Sequence, residues 1–160
     1  MLCFGMEKFR AFIEAWGVAH WEFTLAFEDL ADEDLWRRPH PKLLSIGELA
    51  AHVAYSEAQL PRPMTQSPLV NESARYYLHQ VDAPLVLGLT VAQVLDELKA
   101  VHEAAVEAAS QVQNVDEVVH WRDDWTWYEC VKYMGCFHVA YHTGQAFSVR
   151  HLMGHKTNDN

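Results

Sequence analysis

The sequence predicts an all-α protein, a four-helix bundle with a long crossover between its second and third helices. Apolar residues recur at helical spacing in four segments, and three of those segments open on a capping box. No strictly alternating run is long enough for a convincing strand. A chain of 160 residues can bury a substantial core in one domain. We therefore predict a single domain over residues 1–160.

The first helix is predicted over residues 4–32. Its apolar side chains recur every three or four positions and form one stripe. The stripe consists of Phe9, Ile13, Trp16, His20, Phe23, Phe27 and Leu30. Pro39 and Pro41 follow, and a proline cannot continue a helix interior.

The remaining three helices are indicated by their first residues. Ser45–Glu48, Thr90–Gln93 and Thr126–Glu129 each match the capping-box pattern. In such a box the hydroxyl accepts the third residue's N–H while the Glu or Gln side chain reaches back to the first residue's N–H. The three predicted helices cover residues 45–60, 90–112 and 127–153.

The link between the second and third predicted helices is nearly thirty residues long. It contains four prolines and the segment NESARYYLHQ, which can form a short helix. A connection of this length favours a crossover over a simple up-and-down meander.

Composition excludes several classes of partner. The net charge is −10, whereas nucleic-acid and anionic-membrane recognition need clustered Lys and Arg. Charged residues interrupt the N-terminal stretch MLCFGMEKFRAFIEAW, so it matches neither a signal peptide nor a membrane span. Three cysteines without a C-x-x-C pattern suit a reducing compartment. We expect a cytoplasmic protein that binds neither nucleic acid nor membrane.

Two pairs of histidines lie four residues apart. His138 and His142 occur inside the fourth predicted helix, whereas His155 of the second pair follows a predicted helix end. A helical wheel centred on His138 puts the first pair in the middle of the inward face, with Thr143 and Arg150 on the opposite side. Two inward imidazoles one turn apart either form hydrogen bonds in the core or converge on one metal ion.

A third metal ligand must come from another helix. His20, His52 and His102 lie on the first, second and third predicted helices. The residue pattern does not choose among the three.

Two stretches resemble a known superfamily. SIGELAAHVAYSE and HVAYHTGQ are similar to the DinB/YfiT-like superfamily of bacterial four-helix bundles. In those proteins a His closing an s-x-x-e-l-x-x-H opening and a later H-x-x-x-H-x-G-Q element bind one divalent metal. The resemblance implies that His52, His138 and His142 are the metal ligands. Thr143 replaces an Arg that is frequent in the superfamily, which leaves the ligands intact.

Three imidazole ligands leave part of the coordination sphere open, as in catalytic metal sites. We expect Zn or Ni, with Fe, Mn and Cu as alternatives. Such a site can support hydrolysis of a small molecule, or transfer of a low-molecular-weight thiol, which some members of the resembling superfamily carry out. The competing hypothesis is a non-catalytic bundle that binds a metal or an apolar ligand, in a stress response.

Four further residues are candidates for orienting a ligand or lining the pocket: Glu48, Gln145, Tyr141 and Trp127. Glu48 lies one turn before His52 and also completes a capping box. Gln145 can donate to a substrate or pack between helices. Trp127 belongs to the aromatic run HWRDDWTWY, which can roof the pocket or cap the core.

The first helix carries more aromatic residues than one stripe can bury, including Phe4, Phe12 and Trp21. A homodimer through helix faces would cover the surplus. The expected partners are thus a second copy of the chain and a small-molecule substrate or ligand.

Overall fold

The all-α class is confirmed. The computed structural model describes residues 2–60, 66–71, 83–119 and 124–156, with side chains from residue 5 onward. Within these ranges every regular element is a helix, apart from an isolated bridge between Val118 and Thr126. The short helix predicted in NESARYYLHQ lies almost wholly outside the described residues.

The helical elements follow the predicted order, apart from a short helix, Asp32–Leu35, that the sequence did not predict. They are α1 (Leu2–Leu25), α2 (Asp32–Leu35), α3 (Ile46–Ala58), α4 (Val91–Ser110), α5 (Trp127–Cys130), a π-helical segment (Val131–Phe137) and α6 (His138–Leu152). The last three are contiguous, so together they correspond to the fourth predicted helix. Among the described residues, no helix has the length and apolar character that crossing a membrane requires.

The first helix ends earlier than predicted. After Leu25 the chain closes into short turns with i→i−3 hydrogen bonds, such as Ala26 N–H to Phe23 O. Asp29 then adopts a φ of 54°, in the left-handed region that interrupts a right-handed helix. The Arg150 guanidinium donates to the Ala26 carbonyl at 3.0 Å. It therefore satisfies a backbone acceptor that this early end leaves free.

All three predicted capping boxes are confirmed. Ser45, Thr90 and Thr126 each accept the backbone N–H of the residue three positions later, and that residue's side chain accepts in return. These caps fix where α3, α4 and α5 begin. Because the hydroxyl and the Glu or Gln are neighbours in sequence, the start of each helix is encoded locally.

Helix α3 is the most buried element. Every residue from Ile46 to Ala58 is buried, and α3 packs against both α4 and α6. Helix α1 packs against α6, the π segment and α4. Polar side chains on α3 therefore have to find their partners inside the protein.

The inward face of α6 differs from the helical-wheel prediction. Thr143 and Arg150 are buried, and the buried stripe runs through Val139 rather than His138. The π segment explains the shift, because its i→i+5 hydrogen bonding widens the turn and brings residues four apart nearly into line. Val131 and Gly135, both buried, thereby continue the stripe of Val139. His138 lies at the edge of this stripe and is half-buried.

Candidate metal centre

Three histidines from two helices bring the same ring atom together. The Nε2 atom of His138 lies 3.1 Å from Nε2 of His52 and 3.0 Å from Nε2 of His142. His52 comes from α3, and the other two come from α6. His52 and His142 are buried. The structure thus gathers the three residues that the superfamily resemblance implies.

The ring orientations suit a shared ligand. The three ring planes are inclined to one another by 55°, 81° and 77°, so their in-plane lone pairs can point at one centre. Nitrogen ligands of tetrahedral zinc, with Zn–N of about 2.0–2.1 Å, lie about 3.3 Å apart. The observed nitrogen–nitrogen distances are close to that spacing. The residues present therefore fit a divalent metal ion.

The electrostatics of the cluster also favour a metal ligand set. Burial, together with the neighbouring His142 and His52, lowers the pKa of His138 to about 3. Burial and His52 lower the pKa of His142 to about 4, although its bond to Gln145 acts in the opposite direction. Both imidazoles are consequently neutral at pH 7, the form in which histidine binds metals.

Gln145 determines which ring nitrogen of His142 carries the proton, and that nitrogen is Nδ1. The His142 Nδ1 lies 2.7 Å from Gln145 Oε1, and the Gln145 amide donates in turn to the Tyr141 hydroxyl at 3.1 Å. An amide oxygen only accepts, so His142 Nδ1 is the donor and Nε2 keeps its lone pair. This is the arrangement by which a neighbouring group usually orients a metal-binding histidine.

The other two histidine candidates, His20 and His102, gather around Glu57 instead. Their Nδ1 atoms lie 3.3 and 3.1 Å from Glu57 Oε1, which also accepts the Trp16 indole N–H at 2.6 Å. The two rings stack with centroids 3.9 Å apart and planes only 15° from parallel. Lone pairs in parallel planes do not converge on one ion. This second group is therefore a hydrogen-bonded cluster around a buried carboxylate.

Glu57 is ionised within this cluster. Burial alone would raise its pKa, but hydrogen bonds from His102 and His20 outweigh burial and lower the pKa from 4.5 to about 2. Its Oε2 atom and the Nδ1 atom of His138 are buried without a hydrogen-bond partner among the described residues. The negative charge of Glu57 also acts on His138, where it opposes the lowering of the pKa. The two histidine groups are thus electrostatically linked through Glu57.

An open pocket of about 470 Å³ adjoins the histidine cluster, and His52 and His142 form part of its wall. Tyr141 and Gln145 also line it, as do apolar residues such as Leu49. The volume is typical of small-molecule sites, which span about 300–1000 Å³. The pocket therefore gives a small molecule access to the cluster.

Two other residues proposed from the sequence have different surroundings. Glu48 binds Arg38 through both carboxylate oxygens and accepts the backbone N–H groups of Ser45 and Leu85. Trp127 is half-buried and packs against the hydrophobic core. Neither is among the described residues that line the pocket.

Sequence reasoning missed Glu57, which lies five residues after His52 on α3. The available signal was an acidic residue in the mainly apolar run AHVAYSEA. A carboxylate on a helix buried on all sides has to find partners in the interior, and this requirement could have led to the two remaining histidines.

Comparison with protein families gives one finding. The family model described as mycothiol-S-transferase matches residues 19–154. The matched range contains all three clustered histidines and most of the helical elements. No significant match is found among curated proteins or among solved structures.

Proposed function

The chain belongs to the mycothiol-S-transferase family, and on that premise we propose that it is a metal-dependent enzyme that transfers a low-molecular-weight thiol to a small electrophile. The observation that carries the proposal is the convergence of three Nε2 atoms, 3.0 and 3.1 Å apart, beside an open pocket. Three imidazole ligands and an accessible side are typical of catalytic metal sites.

The proposed metal ligands are His52, His138 and His142, with Zn or Ni as the expected ion. When bound, such an ion would supply a Lewis acid that lowers the pKa of a thiol and so raises the fraction present as the nucleophilic thiolate. Gln145 holds His142 in the required tautomer. His52 and His142 are buried, and the open pocket is the side from which a small molecule can reach them.

The family assignment favours thiol transfer over hydrolysis. No carboxylate that could act as a general base for attack by water occurs among the described residues that line the pocket. In thiol transfer the co-substrate brings its own nucleophile. The net reaction forms one S–C bond, breaks the bond from that carbon to its leaving group, and releases the leaving group and the thiol proton.

A direct assay tests this proposal. Metal-loaded protein is incubated with mycothiol and 1-chloro-2,4-dinitrobenzene, and formation of the S-conjugate is followed. We expect metal-dependent turnover that His142→Ala abolishes and that His151→Ala, an exposed site on the same helix, preserves. Hydrolysis of simple esters or amides without thiol would replace the proposal with a hydrolase. Metal binding without turnover of any substrate would favour a non-catalytic binding protein.

We propose the finer architecture on the same basis. Helices α1, α3, α4 and the contiguous α5–π–α6 unit would form a four-helix bundle in a single domain, with residues 59–89 as the crossover. The contacts of α1 with α4 and α6, and of α3 with α4 and α6, support a square arrangement. A single cooperative unfolding transition is expected.

A homodimer and a cytoplasmic location are part of the proposal. Val18 and Trp21 are more than half exposed on α1, which supports association through this helix. Cys136 is a free thiol, and burial raises its pKa to about 11, which suits a reducing compartment. Sedimentation equilibrium at micromolar concentration is expected to give twice the chain mass. A species of 18.4 kDa, the mass of one chain, would exclude the dimer.

A further inference from the structure

Gly144 occupies the middle of α6 without a structural reason for being glycine. Its φ is not in the left-handed region, and a Cβ built there meets no described atom within 4 Å. Gly47 and Gly135 differ, because a Cβ at either position would collide with a tryptophan ring. A glycine inside a helix costs roughly 0.5–1 kcal/mol of stability relative to alanine. Neither backbone conformation nor packing accounts for that cost at Gly144.

The position of Gly144 beside the pocket offers an explanation for the glycine. Gly144 follows His142 by two residues and lines the same open pocket. Tyr141, Gly144 and Ser148 all line the pocket, and residues three or four apart share one face of a helix, so we expect a side chain at position 144 to extend into the pocket. Any larger residue would therefore reduce the room next to the histidine cluster.

The residues that line the pocket indicate which kind of ligand group it would bind. Leu43, Leu49, Val149 and Leu152 contribute apolar walls. Lys42 is the one lining residue with a charged side chain in the described part of the chain. Apolar walls favour a neutral apolar group, because such a group loses little hydration when it is buried there.

We infer that Gly144 determines substrate specificity by keeping room for the apolar body of the electrophile that accepts the thiol. This inference rests on the proposed thiol transfer. The sulfur of the thiol forms a bond to an electrophilic carbon, the leaving group departs with its bonding electrons, and the thiol proton passes to solvent. The apolar remainder of the electrophile contacts the backbone at Gly144, where no side chain is present.

The chain offers a matched control for the test. Gly17 in α1 is also a mid-helix glycine with no described atom within 4 Å of a built Cβ, and it does not line this pocket. We compare Gly144→Leu and Gly17→Leu with the wild type. Both variants are expected to keep the helical content and the metal content.

The first readout is selectivity between two electrophiles, 1-chloro-2,4-dinitrobenzene with its aromatic body and the small polar iodoacetamide. Gly144→Leu is expected to lower kcat/KM for the aromatic electrophile at least tenfold more than for iodoacetamide. Gly17→Leu should leave the ratio unchanged. An equal loss for both electrophiles, or no loss for either, would overturn the inference.

A binding measurement separates failure of this inference from failure of the proposed function. Calorimetry with 1,3-dinitrobenzene, which lacks the leaving group, needs no turnover. If the wild type transfers no thiol but binds this probe, and Gly144→Leu loses the binding, the pocket assignment stands and thiol transfer fails. If the wild type and Gly144→Leu bind the probe equally, or neither binds it, the assignment of the pocket is wrong.

Discussion

The indole Nε1 of Trp16 donates to Glu57 Oε1 at 2.6 Å, linking α1 to the most buried helix of the protein. The same indole covers Gly135, where an added Cβ would come within 2.8 Å of the ring. Gly135 lies in the π segment, one turn before His138. Trp16 thus links the buried carboxylate of Glu57 to the segment that precedes His138 and His142.

Stability in acid should depend on Glu57. Its pKa falls from 4.5 to about 2 on folding, so between these pH values the unfolded chain binds a proton that the folded protein does not. The contribution of ionised Glu57 to the free energy of unfolding is complete above pH 4.5. It is lost as the pH falls towards 2, and the loss is on the order of 3 kcal/mol. The substitution Glu57→Gln removes this pH-dependent contribution. Urea unfolding from pH 7 to pH 2.5 should give a shallower pH dependence for the variant; parallel curves would contradict this.

Gly135→Ala should destabilise the protein. The new methyl group would collide with the Trp16 ring, and overpacking of this kind costs about 1–3 kcal/mol. Gly17→Ala is the control, because its Cβ meets open space in the described structure and alanine is the better helix former by up to about 1 kcal/mol. Thermal unfolding should therefore shift in opposite directions for the two variants. Equal shifts would argue against close packing of Trp16 on the π segment.

Arg38 should be essential for the stability of the first loop and α3. Its guanidinium binds both oxygens of Glu48, which is fully buried. Arg38→Met leaves that carboxylate without its cation, at a cost of about 3–5 kcal/mol. Arg37→Met removes an exposed ion pair with Asp34 and should cost less than about 1 kcal/mol. Denaturant midpoints of the two variants test this difference, and similar midpoints would refute it.

Gln145→Ala should weaken metal binding without unfolding the protein. The variant loses the acceptor that orients His142, and loss of such a partner typically reduces metal affinity about 10–100-fold. Ser148→Ala is a suitable control, since Ser148 lines the pocket but bonds to the Gly144 carbonyl. Competition with a chromogenic chelator measures both affinities. Unchanged affinity in Gln145→Ala would exclude an orienting role.

Features encoded by neighbouring residues could be predicted from the sequence. The capping boxes require residues three apart, and the pair His138/His142 requires residues four apart. The third proposed metal ligand, His52 rather than His20 or His102, could not be predicted in this way. It came from the superfamily resemblance, because local pattern does not reveal which helices face each other.

Two errors arise from departures from regular helix geometry. The wheel centred on His138 assumed uniform winding, whereas the π segment rotates the buried face towards Val139. The first helix was predicted too long because its apolar stripe continues through the turns before Asp29. The role of Glu57 depends on contacts 37 to 45 residues away along the chain, which no local pattern contains.

The most direct test of the central claim is the metal content per chain, determined by elemental analysis of untagged protein. The wild type, after incubation with Zn or Ni, is expected to hold about one ion per chain. His52→Ala, His138→Ala and His142→Ala should each lose most of it, while His151→Ala keeps it. A wild type without bound metal, or full retention in the three variants, would contradict a metal centre at these histidines.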